Sequence, residues 1–215
     1  MIKAVFFDVG EAIVDESREY GTWADWLGVP RHTFSAVFGA VIARGLDYRE
    51  TFQHFRPGFD LATERERRAA AGDPEAFGEE NLYPDARSCL ARLREMGLRV
   101  GVAGNQTSRA EDILRSLDLP VDVIGTSDGW GVEKPSPAFF DRVVAEAGHP
   151  AGEVLYVGDR IEVDLRPAQA LGIATAWIRR GPWAHIEHDP EVVGRCLFVL
   201  DSLADLPELL GKLAE

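Results

Sequence analysis

Three aspartates, one lysine and one asparagine in this chain are spaced so that they could do chemistry together. Asp8 ends an apolar run that opens almost at the N-terminus and is followed at once by Val9-Gly10. Asn105 follows the run L-R-V-G-V-A-G, Asp159 follows V-L-Y-V-G, Asp164 lies five residues further on, and Lys134 sits in the loop G-V-E-K-P-S-P. Two or three carboxylates beside one lysine suit a hard cation with oxygen ligands, and the ion and lysine together would neutralise a phosphate. An aspartate in that setting can also be a nucleophile. Strand-end aspartates equally well cap the helix that follows, so spacing alone leaves both readings open.

These residues converge only if their apolar runs are parallel strands, because parallel strands deliver their C-terminal ends to one sheet edge. The pattern after residue 82 supports this. Helices are expected at 85–96, with Asp85 as N-cap and Gly97 closing, at 109–117, at 137–147, through Leu165 and Ala170, and at 206–213. Strands are expected at 98–103, 121–124, 154–157, 174–178 and 197–200. Such alternation predicts a Rossmann-like, doubly wound parallel sheet. Residues 17–80 break it: Trp23, Trp26 and Leu27, then Phe34, Val37, Phe38, Val41 and Ile42, recur at helical spacing. The expected organisation is a core of residues 1–15 and 81–215, with an all-helical insert at 16–80 placed as a lid. The insert's aromatic residues read as its core, and the charged run from Glu64 to Arg68 as a solvated helix face. Trp130 is expected to be exposed or at a pocket rim, and the five histidines, two of them in a Pro- and Gly-rich loop, to be surface residues.

Composition excludes some classes of function. With 36 Asp and Glu against 23 Lys and Arg, the net charge of −13 repels nucleic acid and anionic membrane. Cys89 and Cys196 have neither a metal-site nor a redox-pair spacing and read as reduced core residues. No basic-then-apolar leader opens the chain, and no apolar run approaches the ~18 residues of a membrane span. A cytoplasmic location is expected, and oligomeric state carries no signal.

The segments F-F-D-V-G-E-A-I-V-D, G-V-E-K-P-S-P-A-F-F and V-G-D-R-I-E-V-D-L-R-P-A-Q-A-L-G-I resemble the first, third and fourth motifs of the haloacid dehalogenase-like (HAD) hydrolase superfamily. The helical insert resembles that family's type 1 cap. The resemblance implies Asp8 as a nucleophile forming an aspartyl-phosphate, and Asp159 and the backbone carbonyl of Gly10 as further ligands of a Mg²⁺ bound by Asp8. It implies that Asp164 supports the metal site or orients the lysine, and that Lys134 steadies the nucleophile and the transferred group. Gly104 and Asn105 would hold phosphate with Lys134. The implied activity is hydrolysis of a small phosphorylated metabolite.

Three positions depart from the family pattern. The second aspartate of the first motif, which serves as general acid and base, is Gly10; the motif's Thr is Ala12; and the Ser or Thr of the second motif is Gly104. Losing a positioned proton donor costs ~10²–10⁴-fold in rate, which implies weakened activity unless Glu11, Asp15 or Glu16 supplies the proton. Otherwise Glu11 reads as a solvated residue. Two alternatives follow: a 2-haloacid dehalogenase, against which the retained G-D-R-I-E-V-D argues, and a non-catalytic relative that binds a ligand or a protein partner.

Overall fold

The structure, a computed structural model, describes residues 1–213. It divides into two compact units: Met1–Asp15 with the chain from Leu82 onward, and Glu16–Asn81. The first unit is built on six parallel strands, β1 (Ala4–Phe7), β2 (Arg99–Gly104), β3 (Val123–Thr126), β4 (Val154–Gly158), β5 (Ala174–Ile178) and β6 (Phe198–Leu200). Their order is β3-β2-β1-β4-β5-β6, so the order reverses at β1 and β4. All four residues of β1 and all five of β4 are buried, as expected of central parallel strands covered on both faces. In open α/β sheets the crevice for ligands lies at that reversal, beyond the strands' carboxyl ends.

In chain order the helices are α1 (Ser17–Leu27), α2 (Arg31–Ile42), α3 (Glu50–Phe55) and α4 (Leu61–Ala70) in the second unit. In the first they are α5 (Ala86–Glu95), α6 (Ser108–Ser116), α7 (Ser127–Trp130), α8 (Pro137–Ala147), α9 (Arg166–Ala170), α10 (Gly181–Ile186), α11 (Pro190–Gly194) and α12 (Leu206–Lys212). One face of the sheet packs Phe6, Ala103 and Tyr156 against Phe139, Phe140 and Val143 of α8. Beyond β5, Trp177 packs with Ile161, Leu165, Ala184 and Val192.

Several local expectations need correction. β3 lies two residues further along than residues 121–124, because Val121 sits in a turn in which its N–H bonds Leu119. Trp130 is half-buried, its ring on that of Phe139 with centroids 5.2 Å apart, and it fills the space that a side chain on Gly125 would need. His185 lies in α10 rather than in a loop. Asp85 stands at the N-cap position of α5, but its side chain makes no capping bond; its carboxylate takes Ser202 Oγ (2.6 Å), the Leu203 N–H (2.9 Å) and the Arg180 guanidinium instead.

The second unit is helical and has its own core. Trp23, Phe34, Phe38, Phe52 and Phe59 are all buried, and the Phe52 and Phe59 rings stack with centroids 4.8 Å apart. The charged run on α4 is solvated only in part: Glu66 and Arg67 are exposed, but Glu64 and Arg68 turn inward. Glu64 is 4% exposed and accepts from Trp26 Nε1 (2.8 Å), Arg67 (2.6 Å) and Arg56 (3.3 Å). Arg68, 2% exposed, lies 4.3 Å over the Trp23 ring and pairs with Asp73 at 3.0 Å. Positions 64 and 68 are four apart, so they share one face of the helix.

Candidate active site

The sheet register brings the predicted residues together. Phe7 pairs with Val102 on one side and Val157 on the other, so β1, β2 and β4 end nearly level, and the Asp8 N–H bonds the Val157 carbonyl at 2.8 Å. Asp8, Asp159 and Asp164 follow as a buried group whose carboxylate oxygens lie within 4.8 Å of one another. Lys134 Nζ, itself buried, bridges two of them, at 2.7 Å from Asp8 Oδ1 and 2.6 Å from Asp164 Oδ1. Asn105 acts on the lysine rather than toward open space, its amide donating to the Lys134 carbonyl (2.9 Å) and its oxygen accepting the Lys134 N–H (2.8 Å). The carboxamide is therefore a clamp on the loop that carries the ammonium.

The wide helical turn Ile161–Leu165 sets Asp164 four residues from Arg160, whose N–H donates to Asp164 Oδ2 at 3.0 Å. Asp164 thus has both oxygens engaged. Asp159 does not: its Oδ2 is buried with no hydrogen-bond partner among the described residues. Small residues make room for these carboxylates. A Cβ on Gly104 would stand 2.5 Å from Asp8 Oδ1, and one on Gly158 2.5 Å from Asp164 Oδ2. The departure at Gly104 from a hydroxyl residue thus has a steric counterpart, since Asp8 occupies the space.

Electrostatics explain the strain in this group. Burial pushes Asp8 up to about 6, against the pull of the Lys134 charge, and the Asp164 charge adds to the rise. Asp159 is raised well above the ordinary carboxylate range, first by burial and then by the charges of Asp164 and Asp8. Burial draws Lys134 down, yet the two carboxylates outweigh it and its affinity for protons rises, so it stays an ammonium. Three buried carboxylates against one ammonium leave two negative charges unbalanced. A buried, uncompensated charge is costly and is met in proteins by proton uptake or by a cation. The all-oxygen donor set and the orphaned Asp159 oxygen fit a hard divalent ion such as Mg²⁺.

Behind Asp8 the chain makes a tight turn in which the Glu11 N–H bonds the Val14 carbonyl (2.8 Å) and the Val14 N–H bonds the Val9 carbonyl (2.9 Å). Glu11 has φ 55°, a left-handed backbone that costs ~1–3 kcal/mol in a residue with a side chain. It is 6% exposed, not solvated, and its Oε2 accepts the Tyr83 hydroxyl at 2.6 Å. Burial, then the hydrogen bond to Glu11, raises the Tyr83 hydroxyl, which keeps it a donor at neutral pH. Arg180, at the end of the segment that follows β5, lies 4.1 Å over the Tyr83 ring and donates to the Ala12 carbonyl at 2.9 Å. Tyr83, Arg180 and Asp85 were not identifiable as site neighbours from spacing, although I-R-R-G-P after a buried strand places arginine at this same sheet edge.

The sequence profile of the haloacid dehalogenase-like hydrolases matches residues 2–172. A glyceraldehyde 3-phosphate phosphatase of Pyrococcus abyssi is 30% identical over 84% of this chain and 83% of its own. That of Methanopyrus kandleri is 27% identical over 100% of both. Among solved structures, the putative HAD-hydrolase YfnB from Bacillus subtilis bound to magnesium superposes with a TM-score of 0.73 at 18% identity, covering 97% of this chain and 98% of that one. At that identity the likeness speaks for the fold alone. The sequence match over most of the chain does more, and the chain belongs to the haloacid dehalogenase-like hydrolase family, as an enzyme.

Proposed function

We infer that this protein is a Mg²⁺-dependent phosphomonoester phosphatase of the cytoplasm, working through an aspartyl-phosphate on Asp8. The observation that carries the reading is the unpartnered Asp159 oxygen in a buried cluster of three carboxylates and one lysine. The names of the relatives, phosphatases of glyceraldehyde 3-phosphate and, in Thermus thermophilus, of phosphoserine, point to a small phosphorylated metabolite. A carbon–halogen hydrolase would need no cation and would leave that oxygen unexplained.

Asp8, Asp159 and the main-chain carbonyl of Gly10 would hold Mg²⁺, which when bound neutralises charge on the phosphate oxygens. An oxygen of Asp8 attacks phosphorus in line, the bond to the leaving oxygen breaks, and water then hydrolyses the acyl phosphate. Lys134, fixed by Asp164 and by Asn105, keeps Asp8 ionised and balances charge on the transferred group. Backbone N–H groups at Gly104 and Asn105 are the candidate phosphate donors. The helical unit Glu16–Asn81 serves as the cap that selects the substrate.

Residue 10 offers no proton to the leaving oxygen, so turnover should favour esters whose leaving groups need none. The test is hydrolysis of p-nitrophenyl phosphate and of alkyl phosphates of similar size, with Mg²⁺ or with EDTA, beside Asp8→Asn. The aryl ester should turn over at least about tenfold faster, and Asp8→Asn should remove about 10³-fold or more of the rate. Wild-type turnover no faster than that of Asp8→Asn would refute the phosphatase reading.

A further inference from the structure

The turn that follows Asp8 has no polar side chain of its own at positions 10 and 12, which are Gly and Ala, yet it must keep a fixed shape beside the carboxylates. What holds it comes from outside. Glu11 stands in a left-handed conformation with its carboxylate buried, an arrangement that persists only where the surroundings over-determine it. Those surroundings are specific. Tyr83 donates its hydroxyl to Glu11 and its N–H to the Ile13 carbonyl at 2.9 Å. Arg180 donates to the Ala12 carbonyl while its guanidinium covers the Tyr83 ring. Asp85 pairs with Arg180 and is itself held by Ser202 and Leu203. Gly181, with φ 65°, leaves the space in which the Glu11 stem lies.

We propose that Glu11, Tyr83, Arg180 and Asp85 form a clasp that positions the Gly10–Ala12 turn, and with it the Gly10 carbonyl, for the cation at Asp8 and Asp159. The role rests on the metal-site reading above and deepens it. These four are positioning residues and touch no substrate. Glu11 in particular is committed to Tyr83, so its contribution passes through the backbone rather than through a proton delivered to the leaving group. With Gly10 and Ala12 at those positions, this chain gains from the clasp the hold on the turn that its own side chains there do not provide.

The test measures Mg²⁺ in two ways: the Mg²⁺ concentration that gives half of the thermal stabilisation, and the concentration that gives half-maximal hydrolysis of p-nitrophenyl phosphate. Tyr83→Phe and Arg180→Met should each raise both by about 10-fold or more, with kcat reduced and KM for the ester within about twofold. Arg180→Lys should restore part of the loss, and Arg179→Met, which breaks only the exposed pair with Asp201, should change neither. Tyr83→Phe removes a single hydroxyl, so it decides the matter even if Arg180→Met does not fold. A lower melting temperature with an unchanged Mg²⁺ dependence would overturn the clasp as a positioning device, leaving only a packing role. A wild type that hydrolyses the ester without responding to Mg²⁺ would also overturn it while sparing the phosphatase activity. A wild type that responds to Mg²⁺ without turnover, with the variants weakened, would uphold the clasp and refute the phosphatase reading.

Discussion

Asp159 and Glu64 are both carboxylates buried inside their units, at 1% and 4% exposure, and the chain treats them in opposite ways. Glu64, in the helical unit, is saturated: the Trp26 indole and the arginines at 67 and 56 surround it, and the Trp26 hydrogen bond, opposed by its desolvation and helped by the arginines, holds it below its usual range. Asp159 is left with an oxygen that no described residue satisfies and with the charges of Asp164 and Asp8 beside it. Glu64 is finished by the fold, its oxygens taken by Trp26, Arg56 and Arg67. Asp159 stays unfinished, at a cost in stability that a bound cation would remove.

The largest test of that contrast is functional. Asp159→Asn should lower Mg²⁺-supported turnover by about 10²-fold or more, as loss of a metal ligand does, and should abolish thermal stabilisation by Mg²⁺. Glu64→Gln should leave both within about twofold. If Asp159→Asn retained the full response to Mg²⁺, the contrast would reduce to a difference in packing.

The next effect is on pH. Asp8 carries a folded-state affinity for protons raised to about 6 from an unfolded value of 3.8. Between those values the folded state binds a proton that the unfolded state has lost, so without metal this group makes stability fall as pH rises from about 4 to about 6, by at most ~3 kcal/mol. Glu64 has the opposite sign: its lowered value contributes stability above its unfolded value that disappears as the pH falls. Chemical denaturation of wild type and Asp8→Asn in EDTA isolates the Asp8 part as a difference, and saturating Mg²⁺ should flatten it. A wild type and variant with parallel pH profiles would contradict the raised Asp8.

Much of this site was legible because it stands at the ends of buried strands. The runs before Asp8 and Asp159 are apolar throughout, and the residues that stop them are charged, so both the parallel sheet and the shared edge follow. The third motif put Lys134 nearby, where the structure places it. Other features were hidden for physical reasons. Trp130 reads as exposed or at a pocket rim until Gly125, five residues earlier, is seen to leave room for its ring. Asp85 has the position and type of a helix cap, but a guanidinium from 95 residues away outcompetes the backbone for it. The run T-E-R-E-R-R looks solvated because single-sequence patterns score charge as exposure, and the Trp26 indole that rewards burying Glu64 lies 38 residues away. Glu11 escaped because a left-handed backbone cannot be read from a residue type that avoids it.

The smallest effect separates the two buried carboxylates by the sign of a stability change. Replacing Glu64 by Gln keeps its volume but weakens acceptance from Trp26 and leaves two arginines without a counter-charge. The expected loss is ~1–3 kcal/mol, from charged hydrogen bonds broken inside a packed face. Replacing Asp159 by Asn in EDTA removes a carboxyl that burial and the Asp164 and Asp8 charges make costly to ionise, and the Asn amide can donate to those neighbouring carboxylates. The expected gain is ~1 kcal/mol, read as a rise in melting temperature of a few degrees. Adding Mg²⁺ should reverse the order of wild type and Asp159→Asn, because only the wild type has a ligand set for the ion to bind. Destabilisation by both substitutions in EDTA would mean that Asp159, like Glu64, is held by the fold itself, and the orphaned oxygen would then no longer argue for a cation.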